Sequence, residues 1–178
     1  MSIIIFEGTD HCGKTTIAKE FCERSDKYQY FKVKQEQIHI EKVDPAILKQ
    51  SHLMQLNFFF ELARQVDFDV AMDRFYPSEF VYGALFRNID EEKILEFDRI
   101  FSSLNTVIVL VQKKEDALED RLWSKAQLIA IKERYKTFFD KTSCRVLMID
   151  TDSEDLEWEL SEIHDFIKSN SDKRHVSK

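Results

Sequence analysis

The stretch Gly8-Thr9-Asp10-His11-Cys12-Gly13-Lys14-Thr15 spaces two glycines five positions apart, in a chain of 178 residues that has only 3 glycines. It follows an apolar, strand-like run at residues 3–6 and precedes a helical pattern at residues 16–24, which predicts a strand, a tight loop and a helix. Glycine allows backbone angles that a Cβ would forbid, so the amides of such a loop can surround phosphate oxygens in front of the helix N-terminus. The stretch therefore predicts a binding loop for a polyphosphate.

Two side chains of this loop have predicted roles of their own. Lys14 is expected to reach the β- and γ-phosphates of a bound nucleotide, and the hydroxyl of Thr15 is expected to hold Mg²⁺. The predicted nucleotide-binding residues are Gly8, Asp10, His11, Cys12, Gly13, Lys14, Thr15 and Thr16.

Length and composition indicate one domain and argue against several classes of protein. The chain fits a single α/β domain over residues 1–169, and the polar residues 170–178 are expected to form a disordered tail. A net charge of −7 argues against a dedicated nucleic-acid binder. No apolar run reaches membrane-spanning length, and a first strand that begins at residue 3 leaves no room for a targeting segment. The three cysteines have no metal-binding or redox spacing, so we expect a cytoplasmic protein that does not contact membranes.

Apolar, β-branched segments alternate with helical patterns along the chain. This alternation is typical of a three-layer, doubly wound α/β sheet whose parallel strands are covered on both faces. Ligands of such a sheet bind beyond the carboxyl ends of the strands, so the glycine loop and the end of the third strand are expected at one edge. The predicted strands are residues 3–6, 30–33, 69–72, 106–111 and 145–149; the predicted helices are residues 16–24, 44–66, a segment capped by Asp90, 127–140 and a closing segment around 156–167.

The end of the third predicted strand carries the second chemical signal, Asp73-Arg74. A carboxylate there can hold Mg²⁺ or receive a proton, and an arginine beside it can clamp an acceptor phosphate through two hydrogen bonds. A surface ion pair is the alternative interpretation, but the combination with the phosphate loop favours function. Lys14, Asp73 and Arg74 are therefore predicted catalytic residues, with Thr15 and Asp73 as the metal ligands.

Both motifs resemble those of one family. The run from Phe6 to Thr16 resembles the thymidylate kinase loop, F-E-G-x-[DE]-x-x-G-K-[ST]-T, and Asp73-Arg74-Phe75 followed by Ser78 is similar to that family's D-R-Y-x-x-S. The resemblance implies phosphoryl transfer from ATP, with Mg²⁺, to a deoxynucleoside monophosphate, dTMP first. It also implies a five-stranded parallel sheet in the order 2-3-1-4-5 and a homodimer.

The resemblance extends to further residues of the nucleotide sites. Asp10 matches the acidic loop position that the family uses near the sugar of the acceptor. His11 stands where one branch of the family has arginine and another has glycine. A catalytic arginine is therefore expected from a short lid near residues 113–126, where Arg121 is the first candidate and Lys125 the second.

Contacts to the acceptor's base and sugar complete the expected site. Phe60 and Arg64 have the family's spacing for base recognition, although Arg64 lies only nine positions before Asp73, which indicates a compact variant. A core phenylalanine and a surface arginine are the alternatives. Tyr82 is expected to line the nucleoside pocket, with packing against the sheet as its alternative.

Three other functions remain open from the sequence. A deoxynucleoside kinase would phosphorylate a 5′-hydroxyl and could use Glu36, beyond the second strand, as a base. A GTPase switch is disfavoured because residues 111–115 replace the asparagine and aspartate of the N-K-x-D guanine motif. A non-catalytic binding module is disfavoured because Lys14, Thr15, Asp73 and Arg74 are all present.

Overall fold

Five parallel strands form the centre of the structure, a computed structural model that describes residues 2–32, 50, 54, 57, 58, 61, 65, 69–113, 123–153 and 155–169. The strands lie in the order β2-β3-β1-β4-β5, and each neighbouring pair is parallel. The strand order expected from the resemblance is therefore confirmed. The strands are β1 (Ile3–Glu7), β2 (Tyr28–Lys32), β3 (Asp69–Asp73), β4 (Thr106–Gln112) and β5 (Arg145–Asp150).

Helices cover both faces of the sheet. The first, α1 (Lys14–Glu23), begins two residues before its predicted start because Gly13, in the left-handed conformation, ends the loop directly before Lys14. Asp90 caps its helix as predicted, by accepting a hydrogen bond from the backbone of Glu92. The other helical elements are α2 (Tyr76–Ser78), a π-helical stretch (Glu79–Gly83), α3 (Ala84–Phe86), α4 (Glu91–Ser103), α5 (Lys125–Lys141) and α6 (Leu156–Lys168).

The helix α5 also begins earlier than its predicted start at residue 127. Ser124 and Gln127 form a capping box, in which each side chain bonds the backbone of the other residue, so the helix starts at Lys125. The last two positions of the predicted lid, 125 and 126, therefore belong to α5, and positions 114–122 lie outside the described residues. Of the predicted helix at 44–66, the described positions Gln50, Met54, Asn57, Phe58, Glu61 and Gln65 are helical.

Two apolar layers enclose the sheet because alternate residues of each strand point to opposite faces. In β1, Ile3 and Ile5 pack with Phe101 and Phe138 on one face, whereas Ile4 packs on the other with the residues of α1 and α6. Since both faces are covered, β1 is buried throughout. This explains why the strands were recognisable as continuous apolar runs.

The carboxyl ends of β1, β2 and β3 meet at one edge of the sheet. In the ladder, Phe6 pairs with Asp73, and Asp73 pairs with Lys32 on the other side. The glycine loop leaves β1 at this edge, and Arg74 follows β3 there. The two motifs, separated by about sixty residues in sequence, are therefore neighbours in space.

Candidate active site

The glycines of the loop stand where no other residue fits without strain. Gly8 has a φ of +144°, and a Cβ at this position would lie 2.0 Å from the carbonyl oxygen of Val111. The loop therefore passes directly against the end of β4. Gly13 has a φ of +88° and precedes the first residue of α1. His11 adopts a φ of 59°, which non-glycine residues rarely do.

The residue that follows β5 also contacts the loop. Thr151, directly after β5, donates a 2.9 Å hydrogen bond from its hydroxyl to the carbonyl oxygen of Cys12. Because the two polar groups of a trans peptide point in opposite directions, the amide of Gly13 faces away from Thr151. Cys12 is buried, whereas His11, Gly13 and Thr16 are exposed on the loop and the first turn of α1.

Lys14 lies over the loop rather than in solvent. Its ammonium group donates a 3.0 Å hydrogen bond to the carbonyl oxygen of Thr9 and lies 3.8 Å from the Asp10 carboxylate. Burial, followed by the nearby charge of Arg74, lowers the pKa of Lys14 below its ordinary value. Phosphate oxygens next to the ammonium group would favour its charged form, because a nearby opposite charge raises the pKa of a lysine.

Asp73 is fully buried at the end of β3 and bonds the other predicted metal ligand. Thr15 donates from Oγ1 to Oδ2 of Asp73 over 2.6 Å, and the Tyr30 hydroxyl and Lys32 ammonium donate to the same oxygen over 3.0 and 2.9 Å. Burial acts to raise the pKa of Asp73, but hydrogen bonds from Thr15 and Lys32 outweigh it, so the pKa lies below its ordinary value. Asp73 is therefore a stable carboxylate.

The pair Thr15–Asp73 fits a magnesium ion. Mg²⁺ takes oxygen ligands and is usually held in kinases by one or two protein groups together with substrate phosphates. Oδ1 of Asp73 is buried and has no hydrogen-bond partner among the described residues, so one carboxylate oxygen is available. No group of three or more histidine, cysteine or acidic side chains suited to a metal occurs in the described part of the chain. Phosphate oxygens of a bound nucleotide and water would supply further ligands.

Arg74 reaches from the end of β3 to the tip of the loop. Its Nη2 donates to Oδ1 of Asp10 over 2.5 Å, and its Nη1 donates to the hydroxyls of Ser78 and Tyr135 over 3.2 and 3.3 Å. The side chain is only 14% exposed. Burial acts to raise the pKa of Asp10, but the positive charges of Arg74 and Lys14 outweigh this effect. The pKa therefore lies below its ordinary value, and this carboxyl is also ionised. Arg74 is thus not a surface ion pair but part of a buried polar network.

Glu7 is the centre of that network, and sequence reasoning assigned it no role. Its carboxylate accepts hydrogen bonds from the amide of Phe75, the amide and hydroxyl of Ser78, and the hydroxyl of Tyr135. Burial raises the pKa of Glu7 despite the opposing effect of Arg74. Ser78 directly precedes the π-helical stretch, but its hydroxyl bonds Glu7 and makes no capping hydrogen bond to that stretch. The sequence did contain a signal for this role, because Glu7 ends an otherwise apolar strand and a buried carboxylate needs hydrogen-bond partners.

Aromatic residues border the Asp10–Arg74 pair. The Tyr82 ring lies 5.1 Å from the Arg74 guanidinium, and Trp123 donates from its indole nitrogen to Asp10 over 3.3 Å. Trp123 also stacks on Phe86 at 4.6 Å. Tyr82, a predicted substrate-binding residue, therefore lies beside Arg74, while Trp123 is a further neighbour that sequence reasoning missed. Tyr76, two positions after Arg74, points into the core, where its hydroxyl donates to Asp98.

Several predicted site residues lie outside the described residues: Phe60, Arg64, Arg121 and Glu36. Their roles stay predictions. Lys125, the second lid candidate, is exposed in the first turn of α5. Among the described residues, no helix has the length and apolarity needed to cross a lipid bilayer.

Three solved structures resemble this chain over most of its length. The YorR protein of Bacillus subtilis, in complex with phosphorylated GDP, matches with a TM-score of 0.68 and 21% identity over 99% of this chain and 99% of that chain. Thymidylate kinase from Ehrlichia chaffeensis matches with a TM-score of 0.66 and 16% identity over 93% and 98% of the two chains. Deoxyadenosine kinase from M. mycoides, with products dCMP and a flexible dCDP, matches with a TM-score of 0.60 and 16% identity over 95% and 100%.

Comparisons of the sequence found no relatives, in contrast to the comparison of structures. No protein-family profile and no curated protein sequence matches the chain. At identities of 21% or less, the structural likeness establishes the fold. The chain has the α/β fold of the P-loop nucleotide kinases, as the resemblance of its two motifs to thymidylate kinases predicts.

Proposed function

We propose that this chain transfers the γ-phosphoryl group of ATP to the phosphate of a deoxynucleoside monophosphate, with dTMP as the first acceptor to test. One observation carries the proposal: Asp73 and Arg74 both turn towards the glycine loop. Asp73 bonds Thr15 over 2.6 Å, and Arg74 bonds Asp10 over 2.5 Å. A donor phosphate held by the loop and an acceptor phosphate held by Arg74 would then face each other.

Charge and positioning supply the catalysis in such a site, because phosphoryl transfer needs little covalent help from the protein. Lys14 would neutralise negative charge on the transferred group, and Arg74 would hold the acceptor phosphate. Thr15 and Asp73 would hold Mg²⁺, which supplies positive charge to the donor phosphates when bound. Loss of one such cation removes roughly 2–4 kcal/mol of transition-state stabilisation.

The remaining contacts are proposed from the family resemblance. Arg121 would close over the transferred phosphoryl group from the lid, and Phe60 and Arg64 would bind the base. Tyr82 would contact the sugar, which its position beside Arg74 supports. A homodimer is proposed on the same resemblance, and sedimentation of the purified protein tests it.

Phosphorylation of a deoxynucleoside 5′-hydroxyl is the second candidate function. The likeness to deoxyadenosine kinase over the whole of that chain favours it. The buried guanidinium of Arg74 favours a monophosphate acceptor, because Arg binds phosphate through two parallel hydrogen bonds and a neutral hydroxyl does not need it. The two candidates differ in their products, a nucleoside diphosphate or a monophosphate.

A coupled assay of ADP release, run with each deoxynucleoside monophosphate and each deoxynucleoside, separates these functions. We expect ADP release with monophosphates, the highest kcat/KM with dTMP, and dTDP as the product identified by mass spectrometry. Release with nucleosides alone would favour the second candidate. Hydrolysis of GTP without any acceptor would favour a GTPase switch. Failure to bind any nucleotide would contradict both kinase functions.

A further inference from the structure

Lys32 places a positive charge on the predicted metal ligands. It is the last residue of β2 and pairs with Asp73 in the parallel ladder, so its backbone is held by the sheet. Its ammonium group lies 2.9 Å from Oδ2 of Asp73 and 3.1 Å from Oγ1 of Thr15. The side chain is 45% exposed, whereas Asp73 is fully buried. The cation therefore lies at the mouth of the site, on a flexible stem.

These two oxygens belong to Asp73 and Thr15, the two side chains that fit Mg²⁺, and the unpartnered Oδ1 lies in the same Asp73 carboxylate. An ammonium and a magnesium ion cannot both bind them closely, because their charges repel strongly in a partly buried site. The hydrogen bond from Lys32 to Thr15 also uses a lone pair of the Oγ1 atom that a metal would need. A second donor to Oδ2, the Tyr30 hydroxyl, is neutral and adds no such repulsion. Among the described residues that donate to Oδ2 of Asp73, Lys32 is thus the one whose charge opposes a metal.

We propose that Lys32 competes with divalent metal for the Thr15–Asp73 pair, so that metal enters the site only together with nucleotide phosphates. The role of the nucleotide in this inference rests on the proposed function. The competition between Lys32 and the metal does not depend on it. A free metal ion would have to displace Lys32 in exchange for one carboxylate and one hydroxyl. A metal–nucleotide complex brings phosphate oxygens as further metal ligands, and its negative charge offsets the repulsion between the metal and nearby cations.

The chain offers a matched control at the other end of the same two strands. Lys27, just before β2, lies 2.5 Å from Asp69, the first residue of β3. Its removal changes the net charge by the same amount and breaks another lysine–aspartate pair of β2 and β3. It does not touch Thr15 or Asp73. Lys27→Met therefore separates a local effect of Lys32 from a general change in electrostatics.

Binding of Mn²⁺ to the protein without nucleotide tests the competition directly. Mn²⁺ has the same oxygen preference as Mg²⁺ and is visible by electron paramagnetic resonance. We expect Lys32→Met to bind Mn²⁺ at least about ten times more tightly than the unsubstituted protein, a change of about 1.4 kcal/mol, and Lys27→Met to bind it equally. The double variant Lys32→Met/Asp73→Asn should lose the gain. Equal affinity in Lys32→Met, or a gain that survives Asp73→Asn, would overturn the proposal.

Chemical footprinting provides a second test on the unsubstituted protein. Acetic anhydride labels free amines, and mass spectrometry compares the labelling of Lys32 and Lys27 with and without Mg²⁺ and a non-hydrolysable ATP analogue. We expect labelling of Lys32 to rise several-fold and labelling of Lys27 to stay constant. Unchanged or reduced labelling of Lys32, in a sample whose analogue binding is verified by calorimetry, would contradict displacement. The Mn²⁺ experiment needs neither nucleotide nor turnover, so failure of the proposed kinase activity would not be mistaken for failure of this inference.

Discussion

Arg74 donates a 2.5 Å hydrogen bond from Nη2 to Oδ1 of Asp10, although the two residues lie 64 positions apart in sequence. Arg74 has a backbone φ of 68°, in the left-handed region that arginine rarely adopts. Such strain persists only where surrounding contacts hold it, and it is concentrated at functional sites. The end of β3 and the tip of the glycine loop are therefore held together by this side chain.

Arg74→Ala should weaken binding of the monophosphate more than binding of ATP. A charge-assisted hydrogen bond to a buried group contributes about 1.5–3 kcal/mol, so we expect the Kd for dTMP to rise roughly 10- to 100-fold. Isothermal calorimetry with dTMP and with a non-hydrolysable ATP analogue measures both. Arg87→Ala is the control, because Arg87 pairs with Glu79 away from the loop. Equal losses for both ligands would contradict the role.

Tyr135→Phe should damage acceptor capture through Arg74. The Tyr135 hydroxyl accepts from Arg74 over 3.3 Å and donates to Glu7 over 2.9 Å, so its removal frees the guanidinium and leaves Glu7 short of a donor. We expect a loss of about 1–3 kcal/mol in the free energy of unfolding and a higher KM for the acceptor.

Tyr76→Phe is the matched control for this change. Tyr76 is also a buried tyrosine, and its hydroxyl donates to Asp98 over 2.8 Å, away from the loop. It should lose stability by a similar amount with the acceptor KM unchanged. Urea unfolding and steady-state kinetics measure the two quantities. A similar rise of KM in both variants would show that Tyr135 acts only through stability.

Lys14→Ala should remove turnover and preserve the fold. A positioned cation at the transferred group accounts for roughly a 10²- to 10³-fold effect on kcat. Circular dichroism should match that of the unsubstituted protein, since the contacts of the lysine to Thr9 and Asp10 both lie within the loop. Lys93→Ala, an exposed lysine of α4, should leave both unchanged. Kinase activity that survives in Lys14→Ala would remove the assignment.

The two loop glycines should differ in their tolerance of a methyl group. Gly8→Ala places a Cβ 2.0 Å from the Val111 oxygen as well as at an unfavourable φ, so the loop or β4 must move. Gly13→Ala meets no atom nearer than 3.9 Å, so only its φ is unfavourable, at about 1–2 kcal/mol. Urea unfolding should show the larger loss in Gly8→Ala. A larger loss in Gly13→Ala would contradict the packing of this loop against β4.

Glu7 should make stability fall as the pH rises. Burial raises its pKa from the ordinary 4.5, so between that pH and the raised value the native state binds more protons than the unfolded chain. The free energy of unfolding therefore decreases with pH across this window. Glu7→Gln should remove that decrease, in urea unfolding from pH 4 to pH 8. Exposed Glu92→Gln should keep it, and an unchanged slope in Glu7→Gln would show that Glu7 is ionised throughout.

Local patterns in the sequence predicted the five strands and the residues that carry chemistry, but not the helical elements between Tyr76 and Phe86. Strands buried on both faces appear as apolar runs, and the ends of β1 and β3 carry the loop and the Asp73–Arg74 pair directly after them. Parallel pairing then brings these ends to one edge. The starts of α1 and α5 were two residues wrong because Gly13 and the Ser124 capping box act at single positions.

The surroundings of the site came from pairings that sequence spacing does not encode. Tyr135 lies in α5, 128 positions from Glu7, and Lys32 lies 41 positions from Asp73. Neither residue type is unusual on a helix or at a strand end, so neither attracted a functional interpretation. Only the packing of α5 against the loop and the pairing of β2 with β3 made them neighbours.

By itself, the sequence determined the alternating α/β order, the glycine turn and the residues Lys14, Thr15, Asp73 and Arg74, since each depends on neighbours within a few positions. The tertiary structure alone decided that Glu7 is buried beneath Arg74, that Asp10 bonds Arg74, and that Lys32 lies on Thr15 and Asp73. The physical reason is that charge interactions and hydrogen bonds depend on the distance between atoms in space. For residues separated by dozens of positions, only the pairing of strands and the packing of helices set that distance.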